Sequence, residues 1–575
     1  MLLYNITFPK NDFCVDNRLY FRDGELCGGG LSVKKGETAT FDTFFNCFSH
    51  TKYSKYTIVN EVTLKLDLEG RADISLYLYD GAEHKLLAEK EFTENDEICL
   101  KLSDLDEKGI VYFAIKAKED CVLRSGGWYG DADGNDVRIG IVICTYKREE
   151  YVKRNIRSLV EFRNGLQERF FDVFAVDNGQ TLDEDFGDGI TVIPNENTGG
   201  SGGFTRGMQE VRRLGEYTHF LLMDDDIVFD VNTIWRTYSL LCLLKDEYKN
   251  ASVGGAMLLA DSPHIQMEMG ADWNGVKLFP HRKRVDVRNA REIVENEADS
   301  EYDYNGWFYT CMPVSTIDKY GYPLPLFIKC DDMEYGLRAA EHWISMSGIS
   351  VWHEDFDVKY VPGIEYYKNR NELILNSYFP KGKGAISNYK KLVMHVCKQL
   401  LSQRYYAVDL IFRAYEDFFK GPDFVFNLNG EKNHKDIRRN FPVFLSEEEL
   451  SAEYSIKEAN DYINLSAVAN KGIKLKHVVT LNGYLIPKCF YKKEMSKVNM
   501  AVFNVDGFFM RKKVLQFNPI TGKGFVTEIK KAPFVKACFK MFGYFFKMMF
   551  CYRETSKKYR SYFDETEYNK VGVKL

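Results

Sequence analysis

Residues 139–144 read Ile-Gly-Ile-Val-Ile-Cys, a nearly continuous apolar run of the length of one β-strand. Strands of a parallel sheet are covered on both faces, so they carry such runs instead of alternating apolar and polar residues. Further apolar runs at 171–176, 191–193 and 220–223 are interleaved with helical patterns, one of them at 204–214. This alternation of strands and helices predicts an α/β domain.

The residues before this segment have a different texture. Residues 1–135 contain short alternating runs rich in β-formers, such as 73–79 and 111–115, separated by glycine or acidic turns. Repeated short strands of this kind predict a β-sandwich or jelly roll. The Gly- and Asp-rich stretch 126–136 is expected to be the loop that ends this domain.

The residues after the α/β segment show a helical pattern. Between Ser387 and Phe419 apolar residues recur at three-four spacing, which predicts helix. Ser446 to Glu449, directly before Leu450, is typical of a capping box. The chain is therefore expected to form three domains, namely a β-sandwich or jelly roll at 1–135, the α/β domain at 136–375 and a mainly helical domain at 376–575.

The length and composition of the chain limit the classes of protein to which it can belong. A chain of 575 residues is too long for one compact core, and its net charge of −6 argues against a nucleic-acid partner. Its 13 cysteines include no Cys-x-x-Cys pair, which suits free thiols in a reducing compartment. No signal peptide and no run of about 18 apolar residues is recognisable, so we expect a soluble cytoplasmic protein.

The strongest chemical signal is Met223-Asp224-Asp225-Asp226, at the end of an apolar strand. Ligands of α/β sheets gather at the carboxyl ends of strands. Adjacent carboxylates repel one another, so a cation is expected beside them. If the strand geometry continues, Asp224 and Asp226 share one side and can hold a divalent ion that also grips a diphosphate, while Asp225 faces away. A solvated acidic turn is the alternative.

A glycine-rich stretch precedes this strand. Residues 195–204 read Asn-Glu-Asn-Thr-Gly-Gly-Ser-Gly-Gly-Phe, before the predicted helix 204–214. Glycines let backbone N–H groups approach a ligand closely, and a helix presents its positive end to an anion. The stretch matches neither a Walker loop nor G-x-G-x-x-G. A plain flexible loop is an equally good interpretation.

A third acidic signal lies further along the chain. Asp331 and Asp332 follow an apolar run, and His353 lies about 20 residues beyond them. A carboxylate beside a carbohydrate hydroxyl can act as general base. An isolated histidine is commonly structural, but the acidic cluster implies a cation, for which imidazole is a common ligand.

Taken in order, these motifs resemble the inverting GT-A transferases of glycosyltransferase family 2. The motifs that carry the resemblance are Cys144 to Arg148, Val176 to Asn178, Asn197 to Phe204, Asp224 to Asp226, Asp331 with Asp332, and His353. The resemblance is nearest to the polymerising galactofuranosyltransferases of actinobacterial cell walls. Those enzymes also carry an N-terminal β-sandwich and a C-terminal helical region, so it spans essentially the whole chain and implies a Rossmann-like mixed sheet in the α/β domain.

The resemblance implies roles on the donor side. Residues near the UDP-sugar would be Thr145, Arg148 and Asp177 in the uridine pocket, Asn197 by the nucleotide and Asp225 by the donor. The ligands of Mn²⁺ or Mg²⁺ would be Asp224, Asp226 and His353.

The resemblance implies roles on the acceptor side as well. Asp332 would be the catalytic base and Asp331 would help to hold the acceptor. Trp307 would stack on a sugar, although a place in the core is an equally good interpretation. Cys330 stands where the family usually has a tryptophan, which bears on acceptor recognition and the transferred sugar.

The expected activity is transfer of a sugar to a glycan or lipid-linked glycan acceptor in cell-surface polysaccharide synthesis. The resemblance implies galactofuranose from UDP-galactofuranose, while rhamnose or another hexose stays open. Two other classes also stay open. A nucleotidyltransferase would use paired carboxylates and a metal, and a non-catalytic carbohydrate-binding protein would work through the N-terminal sandwich.

The tail at 530–560 interleaves lysines with aromatic residues. A basic, aromatic helix can lie on an anionic membrane surface, which would place the enzyme at the inner face of the cell membrane beside a lipid-anchored acceptor. A core helix with snorkelling lysines is the alternative. The N-terminal and C-terminal regions also offer contact surfaces for a homo-oligomer.

Overall fold

The computed structural model of the chain describes residues 1–9, 16–93, 96–105, 108–356, 360–454 and 473–565. The N-terminal region is a sandwich of two antiparallel sheets, as predicted. The first sheet has the order Glu25–Cys27, Gly30–Val33, Cys121–Gly130, Glu61–Glu69 and Glu97–Lys101, with Leu2–Asn5 paired to Cys121–Gly130. The second has the order Thr38–Thr40, Ile110–Ala117, Ala72–Tyr79 and His84–Phe92.

The sandwich follows from the pattern of side chains along its strands. In Glu61–Glu69 every second residue is buried, so one face of the strand contributes to the core. The loop expected at 126–136 is shorter than predicted, because Gly126 to Gly130 complete the strand Cys121–Gly130. A side chain at Gly126 would meet Leu66 at 2.7 Å, so these glycines serve close strand packing rather than a turn.

The central domain contains the predicted mixed sheet of seven strands. Their order is Ile190–Pro194, Phe171–Asp177, Ile139–Thr145, His219–Asp224, Thr310–Pro313, Ser252–Gly254 and Trp343–Ile344. The first four run parallel, and Thr310–Pro313 pairs antiparallel with His219–Asp224. All seven residues of Phe171–Asp177 are buried, which explains the continuous apolar run there.

A smaller sheet and several helices complete the central domain. The sheet has the order Val228–Phe229, Ser350–His353, Ala256–Leu259, Ile265–Glu268 and Val285–Asp286, and Ala271–Trp273 forms a hairpin with Leu278–Pro280. The helices up to the end of this domain are His50–Tyr56, Glu149–Asn164, Gly199–Leu214, Asn232–Cys242, Ala290–Glu297, Ser315–Tyr320 and Asp331–Ala339.

The C-terminal region is mainly helical, as predicted, and also contains a small sheet. Its helices are Ile364–Tyr378, Ala385–Leu401, Tyr405–Phe419, Pro422–Phe426, Gly430–Arg438, Glu447–Tyr454, Leu475–Val479, Val505–Phe508 and Lys531–Glu565. The sheet has the order Leu445–Ser446, Lys523–Glu528, Lys513–Asn518 and Ser496–Asn499. Among the described helices, none combines the length and apolar character that crossing a bilayer requires.

Three local predictions from the sequence can be compared with the structure. The segment from Ser387 to Phe419 is helical, as predicted, and consists of two helices separated at 402–404. Helix Ile364–Tyr378 runs across the expected domain boundary at 375. The capping box is confirmed, because the Glu449 amide donates to Ser446 Oγ at 3.2 Å and the Ser446 amide donates to the Glu449 carboxylate at 2.7 Å.

Helix Gly199–Leu214 lies unusually close to the central sheet, because glycines form both sides of the contact. A Cβ at Gly207 would lie 2.1 Å from Val142 Cγ1, and one at Gly140 would lie 2.5 Å from Val211 Cγ2. Val142 is fully buried in the sheet and has no room to move aside. This contact sets the distance between the N-terminus of the helix and the carboxyl ends of the strands.

The variant Gly207→Ala should therefore be less stable. Alanine improves helix propensity by about 1 kcal/mol, but overpacking a filled core costs about 1–3 kcal/mol and displaces the helix. We expect the midpoint of thermal unfolding to fall. Gly543→Ala, in helix Lys531–Glu565 with open space around it, is the matched control and should leave the midpoint unchanged or raise it. Equal midpoints for Gly207→Ala and the parent would contradict the packing argument.

Candidate active site

The predicted site residues meet at one edge of the central sheet. The parallel register places Thr145 beside Asp177 and Cys144 beside Asp224 at the carboxyl ends of three neighbouring strands. This is the edge at which α/β sheets bind their ligands. The fold thus gathers side chains that are distant in the sequence, such as Thr145 and Asp225, which are 80 residues apart.

Asp225 anchors the turn that follows strand His219–Asp224, and Arg148 bridges its carboxylate to that of Asp226. Thr145 Oγ1 donates to Asp225 Oδ2 at 2.7 Å, and Arg148 Nη1 donates to Oδ1 at 3.1 Å. Asn155 Nδ2 donates to the Asp225 carbonyl oxygen at 2.9 Å. The Asp225 side chain is buried, with 5% exposure. These bonds hold the acidic turn rigid and hold Asp224 and Asp226 in place.

Asp224, Asp226 and His353 form a group with the chemistry of a metal site. One ligand atom from each lies within 4.8 Å of the others, and this is the one such group of three found in the described ranges. His353 Nε2 lies 3.2 Å from Asp226 Oδ1. His353 Nδ1 lies 2.6 Å from the Glu354 carbonyl oxygen, so Nδ1 carries the proton in the neutral ring and Nε2 keeps its lone pair. Two carboxylate oxygens and one imidazole nitrogen fit Mn²⁺ or Mg²⁺.

The electrostatics of the group indicate a shortage of positive charge. Burial raises the pKa of Asp224, the nearby His353 counteracts this in part, and the charges of Asp226 and Asp225 raise it further. Burial also raises the pKa of Asp225, although Arg148 opposes the shift. Arg148 Nη1 lies 2.5 Å from Asp226 Oδ2, and its side chain is half-exposed. One guanidinium and one imidazole thus face three crowded carboxylates. A divalent cation would supply the missing positive charge.

The glycine-rich stretch is helical from Gly199 onward, so the interpretation as a plain flexible loop does not hold for its glycines. Gly199 to Gly203 form the first turns of helix Gly199–Leu214, which begins five residues earlier than expected. Gly199 has φ 72°, and a Cβ there would lie 2.1 Å from the Phe327 carbonyl oxygen. Asn197 Oδ1 accepts a hydrogen bond from the Gly199 amide at 3.1 Å. Packing against Phe327 therefore overrides the low helix propensity of the glycines.

The second acidic pair sits beside this helix. Asp331 and Asp332 open helix Asp331–Ala339, after left-handed backbone at Lys329 (φ 68°) and Cys330 (φ 67°). A Cβ at Gly200 would lie 3.6 Å from Asp331 Oδ2, so the carboxylate lies over the N-terminal turn of the glycine-rich helix. Asp331 thus lies beside the N-terminus of this helix.

Burial raises the pKa of both members of this pair. For Asp331 the charge of Asp332 adds to burial, and Asp224 contributes further. For Asp332 burial is opposed mainly by the positive charge of Lys329. The influence of Asp224 on Asp331 shows that the metal-type group and the second acidic pair belong to one site. A carboxylate with a raised pKa is a stronger base when ionised.

Three predicted residues are not presented to an open surface. Asp177 is 1% exposed, and it accepts hydrogen bonds from the amides of Gly179, Thr181 and Leu182. Thr145 is buried and committed to Asp225. Asp177 and Thr145 therefore shape the walls beside the strand ends.

Trp307 is the third of these residues. It is 5% exposed and packs edge-on against Phe204 and Tyr335, with ring centroids 5.2 and 6.5 Å apart. These contacts lie in the core beneath the glycine-rich helix. The structure therefore favours the core interpretation over sugar stacking.

Sequence reasoning missed several residues that shape the site. Lys329 Nζ lies 5.3 Å from the centre of the Phe356 ring, and that ring lies 4.5 Å from the ring of His353. Lys329 and Phe356 thus link the two acidic groups. A lone lysine and a lone phenylalanine give no sequence signal, and positive φ angles at non-glycine residues cannot be recognised from sequence.

Comparisons with known proteins agree with this geometry. Residues 28–131 match the family model described as Galactofuranosyltransferase 2 N-terminal, and residues 137–354 match Glycosyltransferase like family 2. Galactofuranosyltransferase GlfT2 of Mycobacterium tuberculosis (strain ATCC 25618 / H37Rv) is 26% identical over 441 residues, covering 69% of this chain and 68% of that protein. The protein of the same name from Mycolicibacterium smegmatis is 26% identical over 448 residues, covering 71% and 68%.

Solved structures show only a distant likeness. Staphylococcus aureus TarS 1-349 in complex with UDP has a TM-score of 0.31 and 12% identity, covering 56% of this chain and 92% of that one. The mannosyltransferase PcManGT from Pyrobaculum calidifontis, in complex with GDP-Man and Mn²⁺, has a TM-score of 0.28 and 11% identity, covering 53% and 81%. Scores this low support no conclusion about this chain.

The match of residues 137–354 and the two curated relatives identify the chain as a glycosyltransferase whose central domain is similar to family 2. Within that family it resembles the galactofuranosyltransferases, because its N-terminal domain matches their model and both curated relatives carry that name. This favours a glycosyltransferase over the nucleotidyltransferase and non-catalytic alternatives.

Proposed function

We propose that the enzyme transfers galactofuranose from UDP-galactofuranose to a hydroxyl of a glycan or lipid-linked glycan, with inversion and with a divalent cation. The product would belong to a cell-surface polysaccharide. The observation that carries the proposal is the closeness of two acidic groups. Asp224, Asp226 and His353 have the chemistry of a metal site, and the charge of Asp224 acts on Asp331, which lies against Gly200 of the glycine-rich helix. The choice of sugar rests on the likeness to galactofuranosyltransferases.

On the donor side, Asp224, Asp226 and His353 would hold Mn²⁺ or Mg²⁺, which when bound neutralises charge on a leaving diphosphate. Arg148 is half-exposed beside this group and would bind a phosphate oxygen or the uridine. The N-terminal turn of helix Gly199–Leu214 offers further positive potential.

On the acceptor side, Asp332 would act as the general base. Its carboxylate would take the proton from an acceptor hydroxyl while the hydroxyl oxygen bonds to the anomeric carbon of the donor. The bond from that carbon to the diphosphate oxygen breaks in the same step, UDP leaves, and the configuration inverts. Asp331, buried against Gly200, would orient the acceptor by hydrogen bonds.

Asp226→Asn should weaken cation binding, because one of two oxygen ligands loses its charge. We expect the affinity for Mn²⁺ in the presence of UDP to fall at least tenfold in isothermal titration calorimetry. Asp183→Asn removes a carboxylate that is 90% exposed in a surface pair with Lys153, and this control should bind as the parent does. Unchanged Mn²⁺ affinity in folded Asp226→Asn would remove the metal assignment.

Asp332→Asn should abolish transfer while leaving donor binding intact, because an amide cannot accept the hydroxyl proton. Loss of a general base lowers the rate by roughly 10²–10⁴-fold. The measurement is incorporation of labelled sugar into an acceptor, beside calorimetric titration with UDP and Mn²⁺. Asp318→Asn, at an exposed surface pair with Arg212, is the control. Full transfer by Asp332→Asn would contradict the assignment of the base.

We also propose that helix Lys531–Glu565 rests on an anionic membrane surface. One face of this helix packs on the C-terminal helices through Tyr544, Met548 and other buried residues. The other face exposes Phe539, Phe542 and Phe550, at 74, 64 and 78%. Lysines border this stripe of phenylalanines, a combination that suits the interface of an anionic bilayer. The core interpretation thus applies to the packed face of this helix, and the membrane interpretation applies to its exposed face.

Replacing Phe539, Phe542 and Phe550 together by serine should weaken binding to vesicles of phosphatidylglycerol at least tenfold in co-sedimentation. The change removes apolar area that would enter the headgroup region, while the packed face stays intact. Phe279→Ser, at a phenylalanine that is 47% exposed on the central domain, should sediment as the parent does. Equal sedimentation of the triple variant and the parent would exclude this helix as the membrane contact.

A further inference from the structure

A large cavity lies between the N-terminal sandwich and the central domain. Its volume is 1090 Å³, above the range of about 300–1,000 Å³ typical of small-molecule sites. The sandwich contributes Asn5 and Tyr20, helix Glu149–Asn164 contributes Ser158 and Phe162, and helix Asn232–Cys242 contributes Trp235 and Tyr238. Interfaces between domains are common places for binding sites.

The cavity lies behind the metal-type group rather than in front of it. Trp352 lines the cavity, and the next residue, His353, faces Asp226. Consecutive residues of a strand point to opposite faces of the sheet. Val228, which pairs with Trp352, also lines the cavity and follows the acidic turn by two residues. One layer of backbone therefore separates the cavity from the proposed cation.

The cavity wall includes an ordered aromatic platform. Tyr238 stacks on Phe170 with ring centroids 3.8 Å apart and an angle of 18° between the rings. Trp235 meets Phe170 edge-on at 5.6 Å. Trp235 and Tyr238 are only half-buried, so ring surface remains open to a ligand. Rings held in place in this way give a sugar an apolar surface at low cost in conformational entropy.

The rest of the lining mixes apolar residues with polar ones, and the charge of the polar residues limits the class of ligand. Glu161, Glu168 and Asp230 are among the lining residues, beside the single basic residue Arg154. This excess of acid disfavours a nucleoside diphosphate or an anionic lipid. The polar share of the wall disfavours a hydrocarbon chain. Hydroxyl groups of a neutral sugar, by contrast, can donate to carboxylates and accept from the guanidinium.

We infer that this cavity binds a neutral oligosaccharide several sugar units long, at a second glycan site behind the metal-binding strand. The volume provides for more than one sugar, the rings provide stacking, and the acidic lining provides hydrogen-bond acceptors. The site would bind part of the glycan chain away from the Asp331–Asp332 pair, while the reacting end of that chain lies outside the cavity. The inference does not depend on which sugar the enzyme transfers.

The test is calorimetric binding of neutral oligosaccharides to the full chain. The probes are galactofuranose, rhamnose, mannose and glucose oligomers, each beside its monosaccharide. Trp235→Ala removes part of the platform, and Ser158→Trp fills the cavity from the other wall. We expect at least one oligomer to bind the parent, and both variants to bind it at least tenfold more weakly. Phe279→Ala, at an exposed ring remote from the cavity, should bind as the parent does.

Asp226→Asn separates this inference from the proposed function. Its cation site is damaged and its cavity is intact, so it should bind the oligomer as the parent does even when transfer is lost. If Trp235→Ala does not fold, Ser158→Trp decides, because residue 158 lies on a half-buried helix face. Binding of no oligomer to the parent, or undiminished binding by folded Ser158→Trp, would overturn the inference.

Discussion

The repulsion among Asp224, Asp225 and Asp226 is the constraint on which the rest of the site depends. Three carboxylates at the end of a buried strand are costly unless other groups compensate them. Asp225 is turned inward and held by Thr145 and Arg148. Asp224 and Asp226 lie near His353, and Arg148 also contacts Asp226. The nearby positive charges compensate the three carboxylates only in part, and the group is therefore suited to a cation.

The close approach of helix Gly199–Leu214 to the sheet joins this group to the second acidic pair. Glycines at 203 and 207 bring the helix onto Cys144 and Val142, and Gly199 brings its N-terminus against the Phe327 carbonyl. The same backbone segment continues through Lys329 and Cys330 into Asp331. A displacement of the helix would thus change the distance between the donor and acceptor sides. The glycines of this helix thus serve close packing.

Much of this architecture was predictable from sequence. Continuous apolar runs indicated the central strands, and period-two runs indicated the sandwich. The strand itself did not extend through the acidic motif, because His219–Asp224 ends at the first aspartate and the next two lie in a turn. Other features depend on tertiary contacts that leave no local pattern. The glycines at 199–203 have low helix propensity and are helical only because Phe327 and the sheet hold them. The burial of Asp177 and Trp307, and the cavity behind His353, likewise arise from how distant elements pack.

Turnover of UDP-galactofuranose by the purified chain tests the central claim most directly. UDP release should be followed with a panel of UDP-sugars and a glycan acceptor, in the presence of Mn²⁺ and again after addition of EDTA. The account predicts release from UDP-galactofuranose above all other donors, loss of release in EDTA, and recovery when Mn²⁺ is restored. Equal release in EDTA would contradict the role given to Asp224, Asp226 and His353. Preference for another UDP-sugar would contradict the proposed donor.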